Sequence, residues 1–247
     1  LTPRRILMTI LGIETSCDDT AAAVYDTEAG LQSQLVSSQT EHAAFGGVVP
    51  EIASRAHTEL ILPLIRQALK MAQITLDGID AVAVTRGPGL IGSLLVGTSV
   101  AQGLAAARGW PVVGVHHIEG HIFANRLENP TLEPPFLALV ISGGHTQLVD
   151  VEKWSSYKLL GNTRDDAAGE AFDKVGKLLG LGYPGGPAIE RTAVGGDSSF
   201  VDFPVARIKG DPLAFSFSGL KTAVRVVVEK MGADRVAEYL SDLSAAF

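Results

Sequence analysis

The chain has 247 residues, of which 46% are hydrophobic and 19% charged, a balance typical of a globular protein with one large or two medium domains. Its net charge of −7 at pH 7 argues against a protein whose whole surface grips nucleic acid, because that attraction needs positive charge near the phosphates. The single cysteine, Cys17, excludes an internal disulfide framework and a cysteine-rich zinc site, and it favours a reducing compartment.

The sequence predicts a cytoplasmic protein. No apolar run approaches the roughly 20 residues that span a bilayer. Residues 1–5 are too short, and too soon followed by a strand, for a signal peptide.

Because the net charge is negative, any contact with nucleic acid must be made by a local basic face. Lysines that are scattered over the surface and only solvated are more frequent than such a face. The candidates for a local basic face are Lys174, Lys177, Arg207, Lys209, Lys221 and Arg225.

Strands and helices alternate along the first half of the chain. The apolar patterns predict strands over 8–13, 21–25 and 31–37, a helix over 49–71, a strand over 80–84, a helix over 90–107, a strand over 112–115 and a helix that begins near His117. Strands joined by helices in this way are typical of an α/β fold.

A second series of strands is predicted over 136–141, 145–151 and 157–160, again followed by helices. Because a β-rich start followed by helices occurs twice, we expect two related halves. Proline cannot continue a helix and favours extended chain, so Pro130, Pro134 and Pro135 mark the boundary. The sequence therefore predicts a domain over 8–132, which includes the histidine helix, and a second domain over 133–247.

Two histidines, His117 and His121, lie four residues apart. On a helix this spacing puts both imidazoles on one face, within reach of one metal ion, although two packed histidines are as frequent for such a pair taken alone. A zinc peptidase needs the glutamate directly after the first histidine, whereas Glu119 comes second and roughly 200° around the helix. The inverted zinc-peptidase motif, His-x-x-Glu-His, is absent as well, because Gly120 separates Glu119 from His121. We therefore expect a metal site without peptidase chemistry.

Glycine-rich turns occur in both halves. Ser142-Gly143-Gly144 follows a strand, and its glycines let backbone N–H groups approach a phosphate, although such a tripeptide is more often a plain tight turn. The loop 86–93 leads into a helix, and 183–187 is predicted as a further loop that a helix C-cap would also explain. The loop at 86–93 is neither Gly-x-Gly-x-x-Gly nor a Walker motif, which excludes a Rossmann dehydrogenase and a P-loop enzyme.

Seven segments carry a resemblance to a known family: residues 12–20, 46–51, 86–93, 117–121, 142–147, 165–174 and 215–222. Together they resemble the bacterial tRNA N6-adenosine threonylcarbamoyltransferases, once described as glycoproteases, from about Ile10 to the last residue. The resemblance implies an actin/sugar-kinase-like (ASKHA) α/β fold with two lobes and duplicated ribonuclease H-like halves. It also implies transfer of a threonylcarbamoyl group from threonylcarbamoyl-AMP to N6 of the adenosine 3′ of the anticodon, in tRNAs that read codons beginning with A.

The resemblance also implies roles for individual residues. His117 and His121 match the ligands of one divalent metal per subunit, usually iron, and zinc would suit imidazole equally. For Asp173 taken alone, an ion pair with Lys177 would be the simpler explanation. No residue is an evident nucleophile, and no general base is assigned. The residues that match the substrate loop and the adenylate contacts are Val140, Ile141, Ser142, Gly143, Gly144, Asp173, Gly186 and Glu190.

Partners follow from the same resemblance: tRNA, a paralogous partner protein and a P-loop ATPase of the same modification pathway, with no membrane. Family members continue for about one further small subdomain, which carries an aspartate that completes the metal site. Residues 244–247 lie in a helical pattern without a C-cap, so we expect a truncated second lobe and weak metal binding.

Two alternatives remain open at this point. An ASKHA-type small-molecule kinase would need a catalytic carboxylate near its substrate and would have no use for His117 and His121. An inactive nucleotide-binding scaffold paralogue could lose these histidines and the adenylate-binding residues, yet both are present.

Overall fold

Five strands in the N-terminal half of the chain form one sheet. The structure, a computed structural model, describes residues 7–247 apart from the Ala43 side chain. The order in the sheet is β3-β2-β1-β4-β5; β2 is antiparallel to its two neighbours, and β1, β4 and β5 are parallel. The carboxyl ends of these three strands therefore lie at one edge of the sheet. The five strands are β1 (Thr9–Glu14), β2 (Asp19–Asp26), β3 (Gly30–Ser38), β4 (Ala81–Gly87) and β5 (Val112–His116).

Helices cover this sheet and supply half of its core. The helices are α1 (Pro50–Met71), α2 (Ile91–Arg108) and α3 (His117–Glu128), with short 3₁₀ helices at Thr40–Phe45 and Leu76–Gly78. Helix α1 buries Ile61, Ile65 and Ala68 on one face, as expected from their helical spacing. These side chains pack with Leu11 and Val82 of the sheet, among others. Burial of this face is what holds α1 on the sheet.

The chain divides into two compact units. The first runs to His42 and resumes over Val48–Pro130, and the second holds Ala43–Gly47 and Thr131–Phe247. The assignment of residues 8–132 and 133–247 to two lobes stays a prediction.

The second unit contains an antiparallel sheet and a group of helices. Its sheet has the order β6-β7-β8. Its helical core is formed by Val175, Leu179, Ile189, Val224 and Leu243, all with at most 5% of their surface exposed. The elements are β6 (Phe136–Ile141), β7 (Thr146–Lys153), β8 (Ser156–Asn162), α4 (Ala168–Leu178), α5 (Gly185–Ala193), α6 (Ser218–Met231), α7 (Ala233–Glu238) and α8 (Leu240–Ala246).

Most predicted elements are confirmed, with boundaries that differ by three residues or fewer. The predicted loop at 183–187 is wrong in part, because Gly185, Gly186 and Pro187 form the first turn of α5. The prediction about residues 1–5 lies outside the described residues. Within residues 7–247, no helix is both long and apolar enough to cross a bilayer.

Candidate functional site

His117 and His121 face each other on the first turns of α3. Their Nε2 atoms are 3.1 Å apart, and the ring planes meet at 80°. Two nitrogens that bind one ion at about 2.0–2.1 Å in a cis or tetrahedral arrangement lie about 3.0–3.4 Å apart. The observed separation therefore fits either one shared proton or one shared metal ion.

Side chains from two neighbouring strands orient His117. Its Nδ1 lies 3.1 Å from Ser16 Oγ and 3.4 Å from Glu14 Oε2. The Thr85 hydroxyl donates to Glu14 Oε2 at 2.6 Å, and the Ser16 N–H donates to Glu14 Oε1. When Nδ1–H of His117 donates to these acceptors, its Nε2 is the unprotonated nitrogen, and this atom lies 3.1 Å from His121 Nε2.

The pKa values of Glu14 and His121 are both lower than usual. Burial would raise the pKa of Glu14, but hydrogen bonds with His117, Ser16 and Thr85 outweigh it and lower the pKa to about 2. Burial, with a smaller contribution from the charge of His117, lowers the pKa of His121 below its usual 6.5. Glu14 is therefore a carboxylate and His121 a neutral imidazole at pH 7, which is the form that binds metals.

The two histidines are the candidate metal ligands at this site, and the described residues around them add no third. Among residues 7–247, no group of three or more His, Cys, Asp or Glu side chains is arranged to hold a metal ion. The nearby Cys17 is a poor candidate for a ligand or nucleophile, because burial, helped by Asp18, raises the pKa of its thiol to about 12.

The turn between β6 and β7 presents two exposed backbone donors. Ser142 closes the turn, since its N–H donates to the His145 carbonyl at 2.8 Å and its Oγ accepts from the His145 N–H at 3.1 Å. The Gly169 N–H at the start of α4 donates to the Ser142 carbonyl at 3.2 Å. In the described part of the chain, the N–H groups of Gly143 and Gly144 donate to no protein acceptor. These two groups are available to an anion.

The side chains of Val140 and Ile141, which precede this turn, point to opposite sides of the sheet. The Val140 side chain is buried, with 8% exposed, whereas Ile141 at the end of β6 is 59% exposed. Because successive residues of a strand face opposite sides, only Ile141 presents its side chain to solvent.

Close backbone packing brings α5 against α4. The Asp173 carboxylate accepts a hydrogen bond from the Gly185 N–H at 2.8 Å and so caps the N-terminus of α5. A Cβ atom on Gly185 would lie 2.6 Å from Asp173 Cα and would also collide with the Phe172 carbonyl. A Cβ on Gly176 would lie 2.7 Å from Gly185 Cα. Glycine is therefore required at both positions of this contact.

This contact places Asp173 and Gly186 close together, because Gly186 directly follows the residue that Asp173 binds. Glu190 lies one turn further along α5, on the same face as Gly186, and is exposed. The structure thus brings these three residues of the second unit into one region.

A second aspartate, Asp165, holds the start of α6. It accepts from the N–H groups of Phe217 and Ser218 at 2.8 and 3.2 Å, and from the hydroxyls of Ser216 and Ser218 at 2.6 and 2.7 Å. Burial would raise the pKa of Asp165, but these four bonds lower it to about 2. Asp165 therefore acts as a cap for α6 from outside the helix.

Comparison with known proteins decides the family. The model of the family described as "TsaD: tRNA N6-adenosine threonylcarbamoyltransferase" matches residues 30–247. The chain belongs to this family. Proteins named tRNA N6-adenosine threonylcarbamoyltransferase from Clostridium perfringens and Syntrophus aciditrophicus are 52% and 54% identical to it, over 96% and 97% of this chain and 70% and 71% of their own length.

Solved structures confirm the predicted actin/sugar-kinase type of α/β fold. An activator of 2-hydroxyisocaproyl-CoA dehydratase from Clostridium difficile, with bound ADPNP, aligns with a TM-score of 0.52 at 10% identity, over 98% of this chain and 70% of that one. Component A of (R)-2-hydroxyglutaryl-CoA dehydratase from Acidaminococcus fermentans aligns with a TM-score of 0.50 at 11% identity, over 96% and 74%. At these identities the likeness concerns the fold alone.

Sequence reasoning about this threonylcarbamoyltransferase family member missed the residues that orient His117. Their positions in the sequence could have indicated them. Glu14 ends β1, Thr85 lies near the end of β4 and His117 follows β5. Polar residues at the carboxyl ends of adjacent parallel strands are expected to converge. The parallel pairing of β1 with β4 and of β4 with β5 was needed to use that signal.

Proposed function

We propose that this chain transfers a threonylcarbamoyl group from threonylcarbamoyl-AMP to N6 of the adenosine 3′ of the anticodon, in tRNAs that read codons beginning with A. The match to the threonylcarbamoyltransferase family over residues 30–247 carries the proposal. Relatives that are 50% or more identical have the corresponding name, which supports a tRNA-modifying transferase rather than a small-molecule kinase or a scaffold.

The reaction breaks one bond of the donor and forms one bond to the acceptor. N6 of the adenosine attacks the carbamoyl carbon, the bond from that carbon to the phosphate oxygen breaks, AMP leaves and N6 gives up one proton. We assign the phosphate of the donor to the N–H groups of Gly143 and Gly144, which donate to no other acceptor among residues 7–247. No residue is assigned as general base.

The adenylate end of the donor is assigned to the α4–α5 contact, beside the Ser142 turn and the neighbouring Val140 and Ile141. Carboxylates accept hydrogen bonds from ribose hydroxyls, which suits Asp173 and Glu190. Gly186 has no bulky side chain, so the backbone of α5 can approach the donor closely.

One divalent ion, iron or zinc, is assigned to Nε2 of His117 and His121, whose separation of 3.1 Å fits two ligands of one ion. When bound, such an ion would supply Lewis-acid polarisation of an oxygen. Glu14 and Ser16 lie next to Nδ1 of His117, which would leave its Nε2 to bind the ion.

Partner proteins are part of the proposal. With a net charge of −7 the chain attracts tRNA weakly over its surface as a whole. A paralogous partner and a P-loop ATPase of the same pathway would strengthen this weak binding of tRNA.

The test is mass spectrometry of tRNA nucleosides from cells whose only copy of the complete gene carries His117→Ala and His121→Ala. We expect threonylcarbamoyladenosine to disappear while the protein persists. His116→Ala is the matched control, because this exposed neighbour ends β5 and lies outside the pair. Modification that persists in the double variant contradicts the metal role, and modification that persists after deletion of the gene contradicts the transferase.

A further inference from the structure

Helices α4 and α6 border a cavity of about 530 Å³ in the second unit. Each helix contributes one face to it, with residues spaced by one, three or four positions. None of the six lining residues is acidic or aromatic, and four are cations. The lining is formed by Lys174, Lys177, Leu178, Lys221, Thr222 and Arg225.

Asp166 fixes two of these cations side by side. One carboxylate oxygen lies 2.7 Å from Lys174 Nζ and the other lies 2.7 Å from Lys221 Nζ. Glu170 also binds Lys174, at 2.8 Å. The hydrogen bonds that Lys174 donates to Asp166 and Glu170 raise its pKa, so its charge is permanent at neutral pH. Two ammonium groups are thus held in place before any ligand arrives.

Most N–H donors of the other two cations, Lys177 and Arg225, form no hydrogen bond with the described protein. In the described part of the chain Lys177 forms no ion pair. Arg225 Nε lies 3.8 Å from Glu229, and both side chains are more than half exposed, so that pair contributes little. An ammonium has three N–H donors and a guanidinium five, which leaves several directed to no protein acceptor.

Four cations around an open cavity provide charge and N–H donors that suit a phosphate group. Recognition of a free nucleotide would call in addition for a ring on which the base stacks or a carboxylate for the ribose, and the lining has neither. Contacts that read phosphate and ignore the base are typical of a nucleic-acid backbone. A chain with a net charge of −7 needs such a local group of cations to hold a polyanion.

We propose that the cavity between α4 and α6 binds the phosphate backbone of the tRNA substrate. The inference rests on the proposed function for the identity of the nucleic acid. Its geometry rests on the paired lysines beside Asp166 and on Lys177 and Arg225, which Asp166 does not bind.

The test compares two double variants that change net charge equally. Lys177→Ala with Arg225→Ala removes the cations of the cavity that Asp166 does not hold. Lys158→Ala with Lys230→Ala removes two exposed lysines outside the lining. Binding of unmodified tRNA by the full chain is measured by fluorescence anisotropy between about 50 and 200 mM salt. Unfolding curves of both variants check that the fold is intact.

We expect the cavity variant to bind tRNA about tenfold more weakly, with the slope of log K against log salt reduced by about 2. The control variant keeps the affinity and the slope of the original chain. A single Lys177→Arg variant, which keeps the charge, retains binding.

Three results would overturn the proposal: an equal loss in both double variants, no measurable tRNA binding by the unmodified chain, or a loss of binding to inorganic phosphate or AMP while tRNA affinity is unchanged. The last result would assign the cavity to a small anion. Because the assay uses neither donor nor transfer, its outcome is separate from the nucleoside analysis that tests the proposed function.

Discussion

The two units hold their candidate site residues by different means. In the first unit, His117 is oriented by the side chains of Glu14 and Ser16 at the end of β1. In the second unit, the close approach of α4 and α5 depends on Gly176 and Gly185, which leave no room for a Cβ.

This difference predicts that the two units respond differently to substitutions. A group held by hydrogen bonds loses orientation when one charge or donor is removed, while the surrounding packing stays intact. A group held by backbone contact is disturbed by any added atom, because a close-packed backbone cannot move aside cheaply.

The largest effect is expected for Gly185→Ala in the second unit. Its Cβ would overlap the backbone of α4 and separate the two helices, so we expect a loss of about 3 kcal/mol in the free energy of unfolding. Denaturant unfolding measures this loss. Gly186→Ala is the control, because its Cβ would meet only the Phe172 Cβ, at 3.8 Å, and we expect stability to change by less than about 1 kcal/mol. Equal stability of the two variants would refute the backbone contact.

A smaller effect is expected for Glu14→Gln in the first unit. The substitution removes the carboxylate that orients His117, so we expect affinity for zinc to fall about tenfold. Competition with a chelator of known affinity measures it. Glu28→Gln removes the same charge from an exposed turn and is expected to leave zinc affinity unchanged. Equal affinity of the two variants would show that Glu14 does not position His117.

The smallest effect is expected for Asp165→Ala, which tests a side-chain contact of the second unit. Loss of the cap on α6 is expected to cost about 1 kcal/mol at pH 7. Because folding lowers the pKa of Asp165 from 3.8 to about 2, its contribution is present above pH 4 and is lost as the pH falls towards 2.

Urea unfolding at pH 7 and near pH 3 measures how the contribution of Asp165 to stability changes with pH. The stability difference between the original chain and Asp165→Ala is expected to shrink at the lower pH. Asp202→Ala, at an exposed position, is the control and is expected to show little difference at either pH. A difference that stays constant with pH would mean that the Asp165 charge does not stabilise α6.

Local patterns were enough to predict most elements. The strand β6 follows from a short continuous run of apolar residues, and the long helix α1 follows from the helical spacing of its apolar residues. Both signals come from positions close together in the chain. The histidine pair on one face of α3 follows in the same way from a spacing of four. Membership of the threonylcarbamoyltransferase family also came from short motifs, and the family match confirms it.

Long-range contacts decided the rest. Glu14 and His117 are 103 positions apart and meet only because β1, β4 and β5 are parallel neighbours. Residues 185–187 begin a helix, where a loop was predicted, because Asp173 accepts the Gly185 N–H and the two backbones pack closely. The sequence by itself determined the elements and the family, since both depend on residues close together in the chain. The tertiary structure alone decided which side chains meet, because that depends on how buried faces pack.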